Sequence, residues 1–327
     1  MSIRDKFSTP TQSNQMPHSA LEQDIVFIAK TDNTQDISKI LSTIVKHDSE
    51  TKKKDSSAHN LFVTCKISPQ TISFSYDEGK HFQANCSLKS TFFEEYKCEL
   101  PVQSASNNQD GTMLPTAYSF KVNLLMIIDG LNIFGSEADN NTSVQFVYGG
   151  YGKPFILLLN ENGVMATCSI KTMDTEEPNT FDLVQPVSNK IVIDSESLLE
   201  AFGELDYSSS RVRITLSPDA PFFKVQTTGN MGNFSMEFNP EKKAEEIFES
   251  CELNQSISHL FQLPLIKPCI KALAHGSAKT RLTLTVNGIL QFQHILQTGS
   301  HLHPVIFTVV AISPHHYDEN DENMQMD

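Results

Sequence analysis

The sequence predicts an α+β fold in which one structural unit occurs twice. A strand that leads directly into a helix is predicted over residues 189–206, and a similar pair occupies residues 25–46. Several short segments with alternating apolar and polar residues follow each pair, as is typical of antiparallel strands. The 327 residues are enough for two domains with separate cores. We therefore expect two related domains, each with helices on one face of antiparallel sheets.

The helices of the first half are predicted from apolar spacing. Over Asp36–Lys46 the apolar residues recur with the period of a helix. These apolar positions are Ile37, Ile40, Leu41, Ile44 and Val45. Lys39 and Lys46 fall on the opposite face, so the helix is expected to be amphipathic with two outward lysines. A second helix is predicted over Val122–Phe134, with Gly135 at its end.

The strands of the first half are predicted from alternation between turn residues. They cover residues 61–67, 71–76, 81–88, 143–148, 155–159 and 164–170. The first three are expected to form an antiparallel meander. Asn160–Gly163 predicts the turn of a hairpin between the last two.

The second half repeats this order. A strand at 190–193, a helix at 196–205 and strands at 211–216, 222–227 and 234–238 are predicted in turn. The last helix is predicted over 268–275, with Pro268 in its first turn and Gly276 just past its end. Asn287-Gly288 predicts a type I′ hairpin between strands 281–286 and 289–294, and 304–312 predicts the last strand.

Composition sets the predicted boundaries of the domains. Residues 1–23 are polar and without periodicity, so they predict a disordered leader, and the acidic residues 314–327 predict a disordered tail. Pro178 and Pro186 interrupt the periodicity between them, so residues 174–188 are interpreted as a connector. The expected domains are therefore 24–173 and 189–313.

The charge of the chain limits how it could bind nucleic acid. Its 39 acidic and 25 basic residues give a net charge of −14, which argues against a broadly basic surface. A local basic face remains possible on the helices that carry lysines. Those lysines are Lys39 and Lys46 on the first helix, Lys267 and Lys271 at the last helix, and Lys279 just beyond it. They suit contacts with phosphates, although ordinary solvated helix faces explain them about equally well.

The candidate groups for catalysis are few. Asp194-Ser195-Glu196 directly follows an apolar strand, as does the acidic pair that holds cations in metal-dependent exonucleases. The favoured interpretation is instead that Asp194 or Ser195 caps the next helix. His301 and His303 are expected at the surface or on an edge strand, and 149–152 is expected to be a turn.

Several classes of protein are not favoured by the sequence. No signal peptide and no apolar segment of membrane-spanning length is present, so an intracellular location without membrane contact is expected. The six cysteines are scattered and form no C-x-x-C pair, so neither disulfides nor zinc is expected. We therefore expect no cofactor and no bound metal.

Four segments resemble a known family in order along the chain. They are Tyr148–Pro154, Asn189–Ile193, Glu200–Asp206 and Leu216–Phe222. Each is similar to a stretch of the Rad-one ("radiation-sensitive one") family of checkpoint clamp subunits. The resemblance covers about residues 24–312 and implies the two-domain fold of proliferating cell nuclear antigen, a DNA sliding clamp with helices that line the hole and sheets outside.

The resemblance also implies a function. In this family three different subunits close a ring around double-stranded DNA in the nucleus, a clamp loader places the ring at damage, and the ring recruits checkpoint and repair proteins. The five lysines named above would then face DNA. The connector residues Phe181, Leu183 and Val184 would lie beside an outer pocket that receives partner peptides, and edge strands would pair with neighbouring subunits.

The chain departs from the family pattern in four places, and two other functions stay open. The leader and the polar loops at 47–60 and 103–115 are longer than usual, and Glu196, Glu200 and Glu204 make one helix acidic. Family members have been described as 3′–5′ exonucleases, which is the first alternative. The second is a β-rich interaction module that does not encircle DNA.

Overall fold

The computed structural model describes residues 25–45, 61–100, 116–135, 142–175, 181, 188–230, 232–238 and 247–313. The first half contains β1 (Phe27–Thr31), α1 (Thr34–Thr43), β2 (Phe62–Ile67), β3 (Thr71–Glu78), β4 (Phe82–Lys89), β5 (Glu95–Cys98), β6 (Tyr118–Asn123), α2 (Leu124–Leu131), β7 (Ser143–Tyr148), β8 (Phe155–Glu161) and β9 (Val164–Ile170). The second half contains β10 (Ser188–Asp194), α3 (Ser195–Gly203), β11 (Arg211–Leu216), β12 (Phe223–Gly229), β13 (Gly232–Phe238), β14 (Phe248–Glu252), β15 (Ile257–Gln262), α4 (Leu263–Lys271), β16 (Ser277–Thr285), β17 (Ile289–Thr298) and β18 (His301–Val310).

The described elements repeat in the same order. Each half has a strand, a helix, five strands, a second helix and three more strands. The sheet order β5-β1-β7-β8-β9 in the first half corresponds to β14-β10-β16-β17-β18 in the second. The order β4-β3-β2-β6 likewise corresponds to β13-β12-β11-β15. The predicted α+β fold with an internal repeat is therefore confirmed.

One strand pair joins the two halves. β18 of the second half pairs with β4 of the first, from Val305 opposite Cys86 to Val309 opposite Phe82, and this creates a sheet of nine strands. Phe307 and Ala84 lie opposite each other in this pairing and are both fully buried. The halves therefore share backbone hydrogen bonds and core at this junction.

The helices pack together on one layer. α1 contacts α2, and α3 contacts α4. The 3₁₀ turn Ala272–His275 that follows α4 contacts both α1 and α3, so it connects the helices of the two halves. α1 buries Ile37, Ile40 and Leu41, as its spacing predicts. Among the described residues, no helix has the length and apolar character needed to cross a membrane.

The helix α2 differs from its prediction at both ends, and it finishes at Leu131 instead of Phe134. α2 begins at Leu124, and Val122 belongs to β6 instead of the predicted helix. The boundary is set by Asn123, whose Oδ1 accepts from the backbone N–H groups of Leu125 and Met126 at 3.0 and 3.4 Å. Sequence periodicity alone does not show this cap, because the apolar residues of β6 run into those of α2.

The prediction for the last helix is wrong at its start. α4 begins at Leu263, so Pro264 occupies its first turn and Pro268 lies inside it. Residues Leu263, Ile266 and Ile270 are buried with helical spacing. The predicted end is confirmed, since Gly276 adopts φ 97° directly after the 3₁₀ turn.

The two predicted hairpin turns differ in outcome. The 160–163 turn is confirmed, with Asn162 at φ 49° and Gly163 at φ 84°. The type I′ turn at Asn287-Gly288 is wrong, because Leu284 pairs with Leu290 and a three-residue loop lies between Thr285 and Ile289. This register puts Leu284 and Leu290 on the same buried face, whereas a two-residue loop would place Leu284 opposite the polar Gln291.

Four strands were missed by the sequence reasoning. β5 and β14 are short edge strands without clear alternation, because three of the four residues of β5 are half-buried and four of the five residues of β14 are exposed. β6 and β15 end where α2 and α4 begin, without turn residues between them. The predicted leader, the acidic tail and most of the connector lie outside the described residues, and the predicted domain boundaries stay predictions.

A buried polar chain links α3, α4 and the sheet of the second half. His294 is fully buried, and its Nε2 lies 2.8 Å from the Cys269 carbonyl, which can only accept. Nε2 therefore carries the proton, and Nδ1 accepts from the Thr280 hydroxyl at 2.9 Å. The Ser195 hydroxyl lies 2.8 Å from that of Thr280. Burial lowers the pKa of His294 to about 4.

We predict that His294 makes the protein sensitive to acid. Its folded pKa of about 4 is below the usual value of 6.5, so the unfolded chain binds this proton first. The contribution to stability is complete above pH 6.5 and declines as pH falls toward 4, by roughly 3 kcal/mol in total. Urea unfolding at several pH values should show this decline. His294→Gln should be less stable at pH 7.5 and have a shallower pH dependence; an equal slope would contradict the assignment.

Candidate nucleic-acid interface

The lysines predicted to face DNA occupy different places. Lys39 on α1 and Lys271 in the last turn of α4 are exposed, and Lys267 on α4 is half-buried. Lys46 lies outside the described residues. Lys279 is not on a helix: it lies on β16 opposite Asp194, and its Nζ is 3.4 Å from a carboxylate oxygen of Glu249. The helices thus carry Lys39, Lys267 and Lys271, of which Lys267 and Lys271 line one groove, whereas Lys279 belongs to a sheet.

The helix layer also carries carboxylates. Glu196 and Glu200 are exposed on α3, in agreement with the acidic character that the sequence gives this helix. α2 contains no basic residue and exposes Met126 and Asp129. The positive charge of the described layer is therefore confined to α1 and α4. An anionic backbone would be attracted to these two helices and repelled by α3.

Asp194 and Glu196, the acidic pair considered as cation ligands of an exonuclease, instead stabilise the start of α3. Asp194 is the N-cap of α3, and its Oδ2 accepts from the backbone N–H of Ser197 at 2.9 Å and from the Ser197 hydroxyl at 3.1 Å. Glu196 lies in the first turn of α3, where its negative charge interacts favourably with the helix dipole. In the ranges that the structure describes, no group of three or more His, Cys, Asp or Glu side chains is arranged to hold a metal ion.

His303 differs from the prediction for the histidines. It was expected at the surface or on an edge, yet it is 1% exposed on β18. Its Nε2 lies 2.8 Å from the Thr298 hydroxyl, and its ring is 4.8 Å from that of Phe92. Burial between these groups lowers its pKa to about 4. His303 is therefore a core residue that the mixed pattern of the strand concealed.

Each half has a groove between its two helices. In the first half the groove is about 320 Å³ and is lined by Gln35, Asp36, Ser38, Lys39 and Asn132. In the second half it is about 340 Å³ and is lined by Leu199, Gly203, Tyr207, Lys267, Ile270 and Lys271. The first groove is polar, and the second has an apolar floor beside two lysines. Sequence reasoning missed Leu199, because an apolar residue on a helix is usually core, and Tyr207, which lies in a turn after α3 and becomes part of the groove only through tertiary packing.

The predicted partner pocket is only partly described. Phe181 is half-buried, and Leu183 and Val184 lie outside the described residues. Just before the connector, Met173 pairs with Lys121 of β6 through two backbone hydrogen bonds of 2.9 and 2.8 Å. The Thr175 hydroxyl then lies 3.3 Å from that of Thr64 on β2. The connector therefore starts beside β6, the edge strand of the nine-stranded sheet.

The strands β9 and β13 each have an open edge within the described chain. β9 pairs with β8 alone, and β13 pairs with β12 alone. β9 contains no charged residue, and its Val164 and Met165 are 60% and 73% exposed. An uncharged, apolar edge of this kind normally promotes association, unless it is covered.

Comparison with known proteins places this fold in a family. The family model described as repair protein Rad1/Rec1/Rad17 matches residues 26–296. The chain belongs to the Rad1 family. It is 33% identical over 273 residues to the human cell cycle checkpoint protein RAD1, a match that covers 83% of this chain and 86% of the human one. The Drosophila melanogaster DNA repair protein Rad1 is 24% identical over 247 residues, 74% of this chain and 82% of its own.

Solved sliding clamps share the fold at low sequence identity. The proliferating cell nuclear antigen of Thermococcus kodakaraensis has a TM-score of 0.62 at 11% identity, over 88% of this chain and all of its own. That of Entamoeba histolytica has a TM-score of 0.63 at 12% identity, with the same coverage. The sliding-clamp fold that the four sequence motifs implied is therefore confirmed.

We predict that Asp194 stabilises the fold as a helix cap. Asp194→Ala should remove the acceptor for the Ser197 N–H and lower the free energy of unfolding by about 1 kcal/mol, measured by urea titration. Asp194→Asn should keep most of this stability, because an amide oxygen also caps. Glu196→Ala serves as the control and should cost less than half as much. Equal losses for Asp194→Ala and Glu196→Ala would contradict the role of the cap.

Proposed function

We propose that this chain is a non-catalytic subunit of a heterotrimeric clamp that encircles double-stranded DNA at damage sites in the nucleus. The internal repeat is the observation that carries this proposal. β9 holds the same position in the first half as β18 in the second, and β13 corresponds to β4. β18 and β4 pair within the chain, whereas β9 and β13 have open edges.

The geometry of the internal junction supports ring formation. A second clamp subunit that offered an edge like β13 could pair with β9 as β4 pairs with β18. The open β13 could receive the β9-like edge of a third subunit in the same way. Two different edges on each chain make head-to-tail contacts, and such contacts close into a ring when the rotation fits. The family and its clamp fold favour a closed ring of three chains.

The helix layer supports contact with DNA in the hole of that ring. Lys39, Lys46, Lys267 and Lys271 would meet phosphates, which position DNA without a sequence preference. Lys279 stays in the proposal with a smaller role, because it is paired with Glu249. With a net charge of −14 the subunit should bind DNA weakly by itself, as suits a ring that holds DNA by enclosure.

The outer surface would serve loading and recruitment. The connector, with Phe181, Leu183 and Val184, is proposed to border the pocket that receives peptides of checkpoint and repair proteins. A clamp loader is proposed to open the ring at damaged DNA. The exonuclease alternative gains no support from Asp194, which is engaged as the cap of α3.

We predict that charges on the open β9 edge prevent ring assembly. Met165→Glu combined with Thr167→Glu should weaken binding to the neighbouring clamp subunit at least tenfold, because two carboxylates would enter a pairing edge. Light scattering of the co-expressed subunits should then show loss of the one-to-one-to-one complex.

Leu302→Glu is the matched control for the β9 variant. Leu302 is also an exposed apolar strand residue, 55% exposed, but it lies on β18, which already has a partner on each side. The complex of the co-expressed subunits that contains Leu302→Glu should keep the mass of the wild-type complex. If the β9 variant assembled as well as Leu302→Glu, the proposed edge pairing would be wrong.

We predict that the helix lysines determine the salt dependence of DNA binding. Changing Lys39, Lys46, Lys267 and Lys271 together to Ala should leave the mass of the assembled ring unchanged and weaken its DNA binding. The slope of log K against log salt should become less steep by about one for each phosphate that a lysine no longer neutralises. Lys190→Ala, on a strand and paired with Glu252 at 3.6 Å, is the control. An unchanged slope would remove these lysines from the interface.

A further inference from the structure

The groove between α3 and α4 exposes apolar surface on the helix layer. Leu199 is 38% exposed and Tyr207 is 42% exposed on its walls, and Ile270 lies at 5% exposure on its floor. A layer that contacted DNA only through phosphates would have no use for such surface. The volume of about 340 Å³ falls within the range of small-ligand sites.

Tyr207 presents a ring that is already fixed in position. Its hydroxyl donates to the Phe202 carbonyl at 2.6 Å, and the Nζ of Lys267 lies 4.8 Å from the ring centroid. The hydrogen bond and the cation–π contact restrict the ring before any ligand arrives. A flat partner that stacked there would therefore lose little additional side-chain entropy.

The charge beside this ring suits an anion. Lys267 and Lys271 are one helical turn apart on α4, and the six described residues that line the groove include no carboxylate. The carboxylates of Glu196 and Glu200 lie on α3 and would repel phosphates on the α3 side of the groove. A fitting ligand thus combines a flat apolar group with an anionic group next to it.

The two halves differ at this position. The corresponding groove between α1 and α2 is lined by polar side chains, and there the Asn132 amide donates to the Ser38 hydroxyl at 2.9 Å. It offers a lysine, Lys39, but no aromatic ring among its described lining residues. The apolar floor is therefore a property of the second half and not of the repeated unit.

We propose that the α3–α4 groove binds an unpaired nucleotide of single-stranded DNA, with the base against Tyr207 and Leu199 and its phosphates at Lys267 and Lys271. Bases inside a duplex are stacked and cannot reach the groove, whereas an unpaired base can stack on an aromatic side chain. The inference rests on the proposed function only in placing the helix layer next to DNA. It gives the subunit a preference for strands with unpaired bases.

A tryptophan reporter tests the stacking directly. The chain contains no tryptophan, so Tyr207→Trp places a single indole in the groove. Twelve-residue oligothymidylate should quench its fluorescence, and a duplex of twelve base pairs should quench it much less. Tyr151→Trp is the matched control, because Tyr151 is 58% exposed in the turn between β7 and β8. Equal quenching of both reporters, or equal quenching by duplex and single strand, would overturn the proposal.

Two further variants test the site: Gly203→Leu should fill the groove and keep the Tyr207 ring, and Tyr207→Leu should remove the ring. A Cβ on Gly203 meets no atom within 4 Å, so the first carbon of the Gly203→Leu side chain has space beside the groove that this glycine lines. Anisotropy of labelled oligothymidylate should show about tenfold weaker binding for Gly203→Leu and for Tyr207→Leu. Gly203→Ala should bind almost normally, and thermal unfolding should show that all three variants are folded. Unchanged affinity of Gly203→Leu would contradict the inference.

A competition experiment distinguishes a nucleotide site from a general anion site. Competition by a polyglutamate peptide as effective as that by oligothymidylate would show a general anion site and overturn the nucleotide assignment. The measurements use the chain by itself, so they do not depend on ring assembly. Failure of the three subunits to assemble would remove the proposed clamp function, whereas absence of a single-strand preference with normal assembly would remove this inference alone.

Discussion

The pairing of β18 with β4 is the constraint on which the rest of the structure depends. It merges five strands of the second half and four of the first into one sheet, and it buries Phe307 and Ala84 at their meeting point. Because the two halves have the same strand order, the pairing of β18 with β4 also shows how the equivalent strands β9 and β13 could pair with other chains. Among the described strands, β9 and β13 are the counterparts of β18 and β4, and each has a pairing partner on one side only. The arrangement that joins the halves thus specifies how further chains could be added.

The same junction brings the helices of both halves onto one layer, and the charge of that layer limits its chemistry. The layer carries lysines on α1 and α4 and exposed carboxylates on α3, and the net charge of the whole chain is −14. Such a surface cannot hold DNA tightly by charge alone. In the proposed ring, enclosure would retain the DNA, while a few local contacts would orient the strand. The groove beside Tyr207 would be one of these contacts, and it depends on the packing of α3 against α4.

Much of the fold follows from local pattern, and the failures have physical causes. The amphipathic α1 and the strands at Ser143–Tyr148 and Arg211–Leu216 show clear periodicity, so the sequence identifies them. The hairpin at Asn287-Gly288 was assigned the wrong register because turn chemistry was weighed without the burial of both strands. The predicted start of α4 at Pro268 is wrong, because a proline favours the first turn of a helix but can also lie within a short packed helix. Lys39 and Lys271 could be predicted as exposed helix residues, but the exposure of Tyr207 could not, since it depends on tertiary packing.

Hydrogen exchange of the backbone amides tests the central claim most directly. The exchange rates of the chain alone would be compared with those in the proposed complex with two other clamp subunits. The account predicts strong new protection in β9 and β13, because their open edges become paired, and little change in β4 and β18, which are paired already. Unchanged exchange in β9 and β13 within a stable complex would contradict the account, because the subunits would then associate through other surfaces.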